Sequence, residues 1–285
     1  MSRKIAVLAC FGDLPILAAK KLVELGHEIH IIRVIPYCNY DYEGYVNISL
    51  KIGEIGRLFE YLNFNNIKEV VFAGKIERPN LKSIKFDSGG SKLLFRILKN
   101  KFLGDDKVLV TVIDFFEENN FSVIPLSDFM KSSSGAKILT NKEPNENELH
   151  DIDVGMELIE KISEFDVGQS VIIEDGYVLG IEAAEGTDEL IKRCFNLRKN
   201  KIKSGVLVKT IKKNQTFKAD LPIIGVETIR NLKESNFAGI GISEEVIIVD
   251  ENSVVKIADE AGIFIYKAHK TITEINTRSN AKDQL

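Results

Sequence analysis

The chain has no tryptophan, and only 3 cysteines, 3 methionines and 6 prolines among 285 residues. Cys10, Cys38 and Cys194 stand far apart, so no disulfide framework is expected and a reducing compartment is. Histidine is scarce too. His27, His30, His150 and His269 form no cluster, which argues against a zinc site or a histidine-based nucleophile triad. There is no G-x-S-x-G nucleophile elbow. No apolar run approaches the roughly 18 residues that cross a bilayer. The opening MSRKIAVLACFGDLP has too short an apolar stretch for a secretory leader. A basic excess is missing as well: the net charge is −4, whereas nucleic-acid binding needs a basic surface. A cytoplasmic protein without a nucleic-acid partner is expected.

Strand and helix signals are what the chain does have. Its 285 residues exceed the usual single core, which points to two domains. KIAVLAC reads as a buried strand, and Leu14, Leu17, Ala18, Leu22 and Leu25 then recur at helical spacing. Pro15 sits in the first turn, Gly26 ends the helix, and EIHIIRV is the next strand. This βαβ opening predicts a parallel sheet. Further elements are a helix near Gly53 to Asn63, the strand KEVVFAG, a helix through Val108 to Phe116 and the strand SVIPL. The polar stretch 131–150 reads as a linker, dividing a first domain, 1–130, from a second, 151–285. The second part carries a helix near Ile152 to Ile162 and a hairpin turning at Asp175-Gly176. A helix from Thr187 to Leu197 follows, then the strand GVLVKT and alternating helix and strand to GIFIYKA.

Five turns carry residues suited to chemistry. The first, Cys10-Phe11-Gly12-Asp13, joins a strand to a helix, where exposed N–H groups and the helix dipole favour an anion. A tight turn would need Gly12 in any case. Gly74-Lys75-Ile76-Glu77-Arg78 follows a parallel strand, at the edge where α/β sheets collect ligands. There Lys75 and Arg78 suit a diphosphate, or form a solvated loop. Gly104-Asp105-Asp106 opens a helix whose N-terminus its acids complement, with a ligand role as the alternative.

The densest cluster is GIEAAEGTDELIKR. Thr187 is placed to cap a helix, and Asp188 and Glu189 lie in its positive first turn. Capping does not account for Glu182 and Glu185, which need partners beside alanines. Arg193, Lys209 or a divalent cation would serve, since Mg²⁺ takes one or two carboxylates plus phosphate oxygens. Last, Asp220 precedes Leu221-Pro222, held extended by the proline and suited to a metal ligand, a base or a simple turn.

Together these stretches resemble one family. LGIEAAEGTDELIKR, the GVLVK and DLPIIG pair, and AGKIERP are similar to the UDP-2,3-diacylglucosamine pyrophosphatases of the LpxI type. FGDLP, the GDD helix start and ADEAGIFI fit the same family in order, so the resemblance runs from Lys4 to Tyr266. It implies an α/β protein with an N-terminal Rossmann-like parallel-sheet domain and a C-terminal mixed α/β catalytic domain, the lipid product lying between them. It also implies Mg²⁺-dependent hydrolysis of UDP-2,3-diacylglucosamine to UMP and 2,3-diacylglucosamine 1-phosphate (lipid X), in lipid A biosynthesis, with water directed at the sugar-side phosphorus. By the match to DLPIIG, the family's catalytic aspartate falls on Asp220.

On this reading Asp220, Lys209 and Glu185 are catalytic, and Asp220, Glu182, Glu185 and Asp188 supply metal ligands. Gly12, Asp13, Gly74, Lys75, Arg78, Asp105 and Thr187 bind substrate. The lipid-linked nucleotide sugar implies peripheral contact with the cytoplasmic face of the inner membrane, and a homodimer is the family-level expectation. Two rivals are a non-catalytic carrier of a lipid sugar and a Rossmann-fold nucleotide-dependent oxidoreductase or epimerase. A missing glycine fingerprint and ribose-binding acid count against the second.

Overall fold

A computed structural model describes residues 2–76, 80–99, 105–130, 135–165, 167–198, 202–212, 218 and 222–268. In the first unit the strands are β1 (Lys4–Ala9), β2 (Glu28–Ile35), β3 (Asn47–Lys51), β4 (Glu69–Ala73) and β5 (Ser122–Val123). Its helices are α1 (Leu14–Glu24), α2 (Ile55–Phe64), α3 (Ser88–Lys99) and α4 (Asp105–Glu118). The five strands form one parallel sheet in the order β3-β2-β1-β4-β5. Both faces of β1 are covered, which is why it reads as a continuous apolar run. Ile5, Val7 and Ala9 pack with Ala18 and Leu22 of α1, and Ala6 packs with Leu58 of α2 and Phe116 of α4.

The second unit begins with α5 (Glu146–Ile162), β6 (Ser170–Glu174), β7 (Tyr177–Ile181), α6 (Thr187–Leu197) and β8 (Val206–Lys209). It continues with β9 (Ile223–Ile224), α7 (Val226–Glu234), β10 (Gly239–Ser243), β11 (Ile247–Ile248), α8 (Glu251–Ala261) and β12 (Phe264–Ala268). Its main sheet is mixed, in the order β12-β10-β8-β6-β7. Strands β12, β10 and β8 are parallel, whereas β6 runs antiparallel to both β8 and β7. Leu207, Ile240 and Ile265 face α6, α7 and α8; Val206, Val208 and Phe264 face α5. Gly155 lets α5 lie flat on that second face. A Cβ there would stand 2.5 Å from Val208 Cγ2, closer than packed atoms allow.

Local reading misplaced several elements, each for a physical reason. Helix α5 starts at Glu146, six residues before Ile152, because Asn145 and Glu148 form a reciprocal capping box. Within the stretch read as a linker, Leu139 N donates to Ile265 O at 3.0 Å, and Asn141 donates to Asp259. Helix α3 was not expected, since its Ser-Gly-Gly-Ser start has poor intrinsic propensity. Asp87 supplies that start, accepting from Gly90 N at 2.7 Å. Strand β3 is a short, half-polar edge and gave no clear period. Ile223 and Ile224 of DLPIIG form β9, which pairs with β11 in a separate two-stranded sheet.

Candidate active site

The carboxyl edge of the first sheet is built from backbone. The turns after β1 and β4 are locked together: Phe11 N donates to Lys75 O at 3.1 Å, and Lys75 N returns the bond to Phe11 O at 2.9 Å. Cys10 N donates to Ala73 O at 2.9 Å. Gly74 makes this approach feasible. Its φ is +92°, and a Cβ would lie 2.6 Å from Phe11 O. The lock consumes N–H groups that an anion at the β1–α1 turn would otherwise use. Asp13 occupies the N-cap of α1 without capping it; its carboxylate accepts the Tyr40 hydroxyl instead. That bond, more than burial, raises the Tyr40 pKa above the usual phenol value. Gly12 has φ +96° with open space beside it, and Lys75 is exposed. Arg78 lies outside the described residues. Asp105 opens α4, but its side chain lies outside them too.

The carboxyl edge of the second sheet is built from buried side chains. Lys209, at the end of β8, is 4% exposed, and Glu182, just beyond β7, is 8% exposed. A hydroxyl joins them. Lys209 Nζ donates to Thr187 Oγ1 at 2.7 Å, and Thr187 passes its own proton toward Glu182 Oε1 at 2.8 Å. Lys209 also donates to Ser170 Oγ at 3.0 Å, and Gln169 N donates to Glu182 Oε2 at 3.0 Å. Burying an ammonium and a carboxylate is costly unless such bonds replace water. The expectation that Thr187 caps α6 is not met: Gly186 is the N-cap, and the Thr187 hydroxyl bridges the Lys209 ammonium and the Glu182 carboxylate. The strand register made this visible only in three dimensions, since Ser170 is paired with Lys209 across β6 and β8.

Sequence reasoning passed over Ser170 and Gln169. The available signal was a serine opening the aliphatic run of SVIIE, a polar residue that is fully buried. On the opposite face of the same sheet edge, the side-chain oxygens of Gln169, Thr210 and Ser243 are buried without a hydrogen-bond partner. The two edges meet nearby. Ile211, two residues after Lys209, packs with Leu126 and Phe129 of the first unit, as does Ile247. Lys218 pairs with Glu117 of α4.

The remaining acids are committed elsewhere. Glu185 accepts from Arg193 at 2.7 Å, and that guanidinium, first among several causes, holds its carboxyl below the usual range. Asp188 accepts from Asn231 at 2.8 Å, tying α6 to α7. Glu182, Glu185 and Asp188 thus each accept from a different partner, and among the described residues no three His, Cys, Asp or Glu side chains are grouped to hold a metal. Asp220 lies outside the described residues. Cysteine chemistry is also disfavoured, because burial pushes the Cys10 thiol up to about 12 and the Cys194 thiol up to about 11.

Comparison with known proteins decides the family. Residues 4–133 match the LpxI N-terminal domain, and residues 135–266 match the LpxI C-terminal domain. The chain is 30% identical over 270 residues to the UDP-2,3-diacylglucosamine pyrophosphatase LpxI of Caulobacter vibrioides, covering 92% of this chain and 96% of that one. The protein belongs to the LpxI family. Among solved structures, the Bordetella bronchiseptica enzyme WbmH in complex with NAD+ overlaps with a TM-score of 0.27 at 14% identity, over 42% of this chain and 36% of that one. A likeness that slight says nothing about an LpxI chain. No described helix is long and apolar enough to cross a membrane.

Proposed function

We propose that the protein hydrolyses the pyrophosphate bond of UDP-2,3-diacylglucosamine, releasing UMP and 2,3-diacylglucosamine 1-phosphate in lipid A biosynthesis. The observation that carries this reading is the near full-length likeness to the Caulobacter pyrophosphatase. The buried Lys209 supports it, since a pyrophosphate cleavage builds negative charge that a preorganised ammonium stabilises. Water attacks the sugar-side phosphorus, the bond from that phosphorus to the bridging oxygen breaks, and UMP leaves with the bridging oxygen. Asp220 orients the water. Thr187 and Ser170 hold the Lys209 ammonium in place, and Glu182 fixes the Thr187 hydroxyl. Lys75 and Arg78 stabilise charge on the phosphates, and Gly12 contributes to substrate binding.

Several finer readings belong to the same proposal. The 3-2-1-4-5 strand order is the reason to describe the first unit as Rossmann-like. Domains at 1–130 and 151–285 would close on substrate across the seam at Ile211. A magnesium requirement rests on Asp220 together with the substrate's own phosphates. Action at the cytoplasmic face of the inner membrane follows from a lipid substrate, and a homodimer is the assembly to look for.

The test is UMP release from UDP-2,3-diacylglucosamine by wild type and Asp220→Ala, in Mg²⁺ and in EDTA. The expected result is wild-type turnover lost in the variant without loss of its melting transition. In ¹⁸O-water the label should enter the lipid phosphate. Binding of the lipid product without any UMP release would make the protein a carrier and overturn the proposal.

A further inference from the structure

The outer face of α3 has a composition that neither the core nor the site explains. Phe95 is 61% exposed and Leu98 is 44% exposed, one helical turn apart on the same side. Lys92 and Lys99 are exposed on that same side, and the Lys99 ammonium lies over the Phe95 ring, 4.7 Å from its centroid. The helix SGGSKLLFRILK contains no acid. Lys82 and Lys85, exposed on the segment leading into it, add to the same sign. The carboxylate of that segment, Asp87, is turned inward: it accepts from Gly90 N at 2.7 Å and Arg57 N at 3.1 Å. This local excess of cations stands in a chain whose net charge is −4.

We infer that this face of α3 is where the protein docks on an anionic lipid surface. Exposed phenylalanine and leucine flanked by lysines are the elements of an interfacial helix, with rings entering the headgroup region and ammonium groups paired to lipid phosphates. A second copy of the same face is disfavoured, because it would set four lysines against four lysines. Placement fits as well. Asp87 N donates to Gly53 O at 3.1 Å, so α3 is rooted just past the carboxyl end of β3, at the ligand-collecting edge of the first sheet. The inference goes beyond the hydrolysis proposed above but rests on its lipid-linked substrate.

Co-sedimentation with vesicles tests it, using phosphatidylglycerol–phosphatidylethanolamine against phosphatidylcholine alone. Wild type should bind the anionic vesicles and release in high salt. Lys92→Glu/Lys99→Glu should lower partitioning roughly tenfold or more. Phe95→Ser/Leu98→Ser should weaken it at any salt, with melting transitions kept and hydrolysis in detergent micelles unchanged. Equal binding by wild type and both variants would overturn the inference, as would failure of wild type to prefer anionic vesicles. A change of oligomeric state in Phe95→Ser/Leu98→Ser would also overturn it, by making the face a protein interface. Vesicle binding without any UMP release would sink the hydrolytic reading and leave the docking surface standing.

Discussion

The carboxyl edges of the two sheets are made differently. At the first, backbone does the work: Phe11 and Lys75 exchange N–H···O=C bonds across a glycine, and the Lys75 side chain is exposed to solvent. At the second, side chains do it: an ammonium, a hydroxyl and a carboxylate are buried in a continuous chain of hydrogen bonds. A charge in water is screened and mobile, so it steers and grips. A charge held under protein is preorganised and acts strongly on a transition state. Under the function proposed above, grip falls to the first edge and chemistry to the second.

The sharpest way to break that division is to remove one lysine from each edge. Lys209→Met should lower kcat on the order of 10²-fold or more. It should also destabilise the fold by about 3 kcal/mol, because Glu182 is left buried without its cation. Glu182→Gln in the same chain should recover part of the stability and none of the rate, as read by denaturant melts and UMP release. Lys75→Met should instead raise KM roughly tenfold with kcat nearly kept. If the two substitutions gave the same kinetic pattern, the division would fail.

A smaller effect is expected from the backbone lock. Gly74→Ala forces a Cβ onto Phe11 O at a positive φ, and should cost about 2 kcal/mol, seen as a fall in Tm of several degrees. Lys209 chemistry should survive in the folded fraction. The smallest effect concerns the acid outside the buried network. Glu185 titrates below its ordinary value because of Arg193, so the pair's contribution is present above the unfolded carboxylate pKa and is lost as pH falls through the lowered folded value. Both partners are partly exposed, which limits the loss to under about 1 kcal/mol. Arg193→Leu should flatten that acid limb of a stability–pH curve. An unchanged limb would show that Glu185 has another partner.

Much of this was legible from residue order, and the exceptions share a cause. Periodicity placed β1, α1, β2, β8 and α6 because their apolar spacing is set by packing on one continuous core. It missed the start of α5, which a single reciprocal cap decides, and β3 and α3, whose composition is ambiguous. The acids of GIEAAEGTDEL stood out as needing partners, but which partner each took was not readable. Glu182 looks inward to Thr187, Glu185 sideways to Arg193, and Asp188 across to Asn231.

Residue order alone therefore established an α/β chain that opens with a parallel sheet, with candidate polar residues at strand ends, because alternation and helical spacing are properties of neighbours along the backbone. Only folding decided that Ser170 and Lys209, 39 positions apart, would share a hydrogen bond, and that Thr187 would link Lys209 to Glu182 rather than cap a helix. Such contacts depend on strand register and on which face of the sheet each side chain takes. Those are fixed when distant segments pair, and nothing local encodes them.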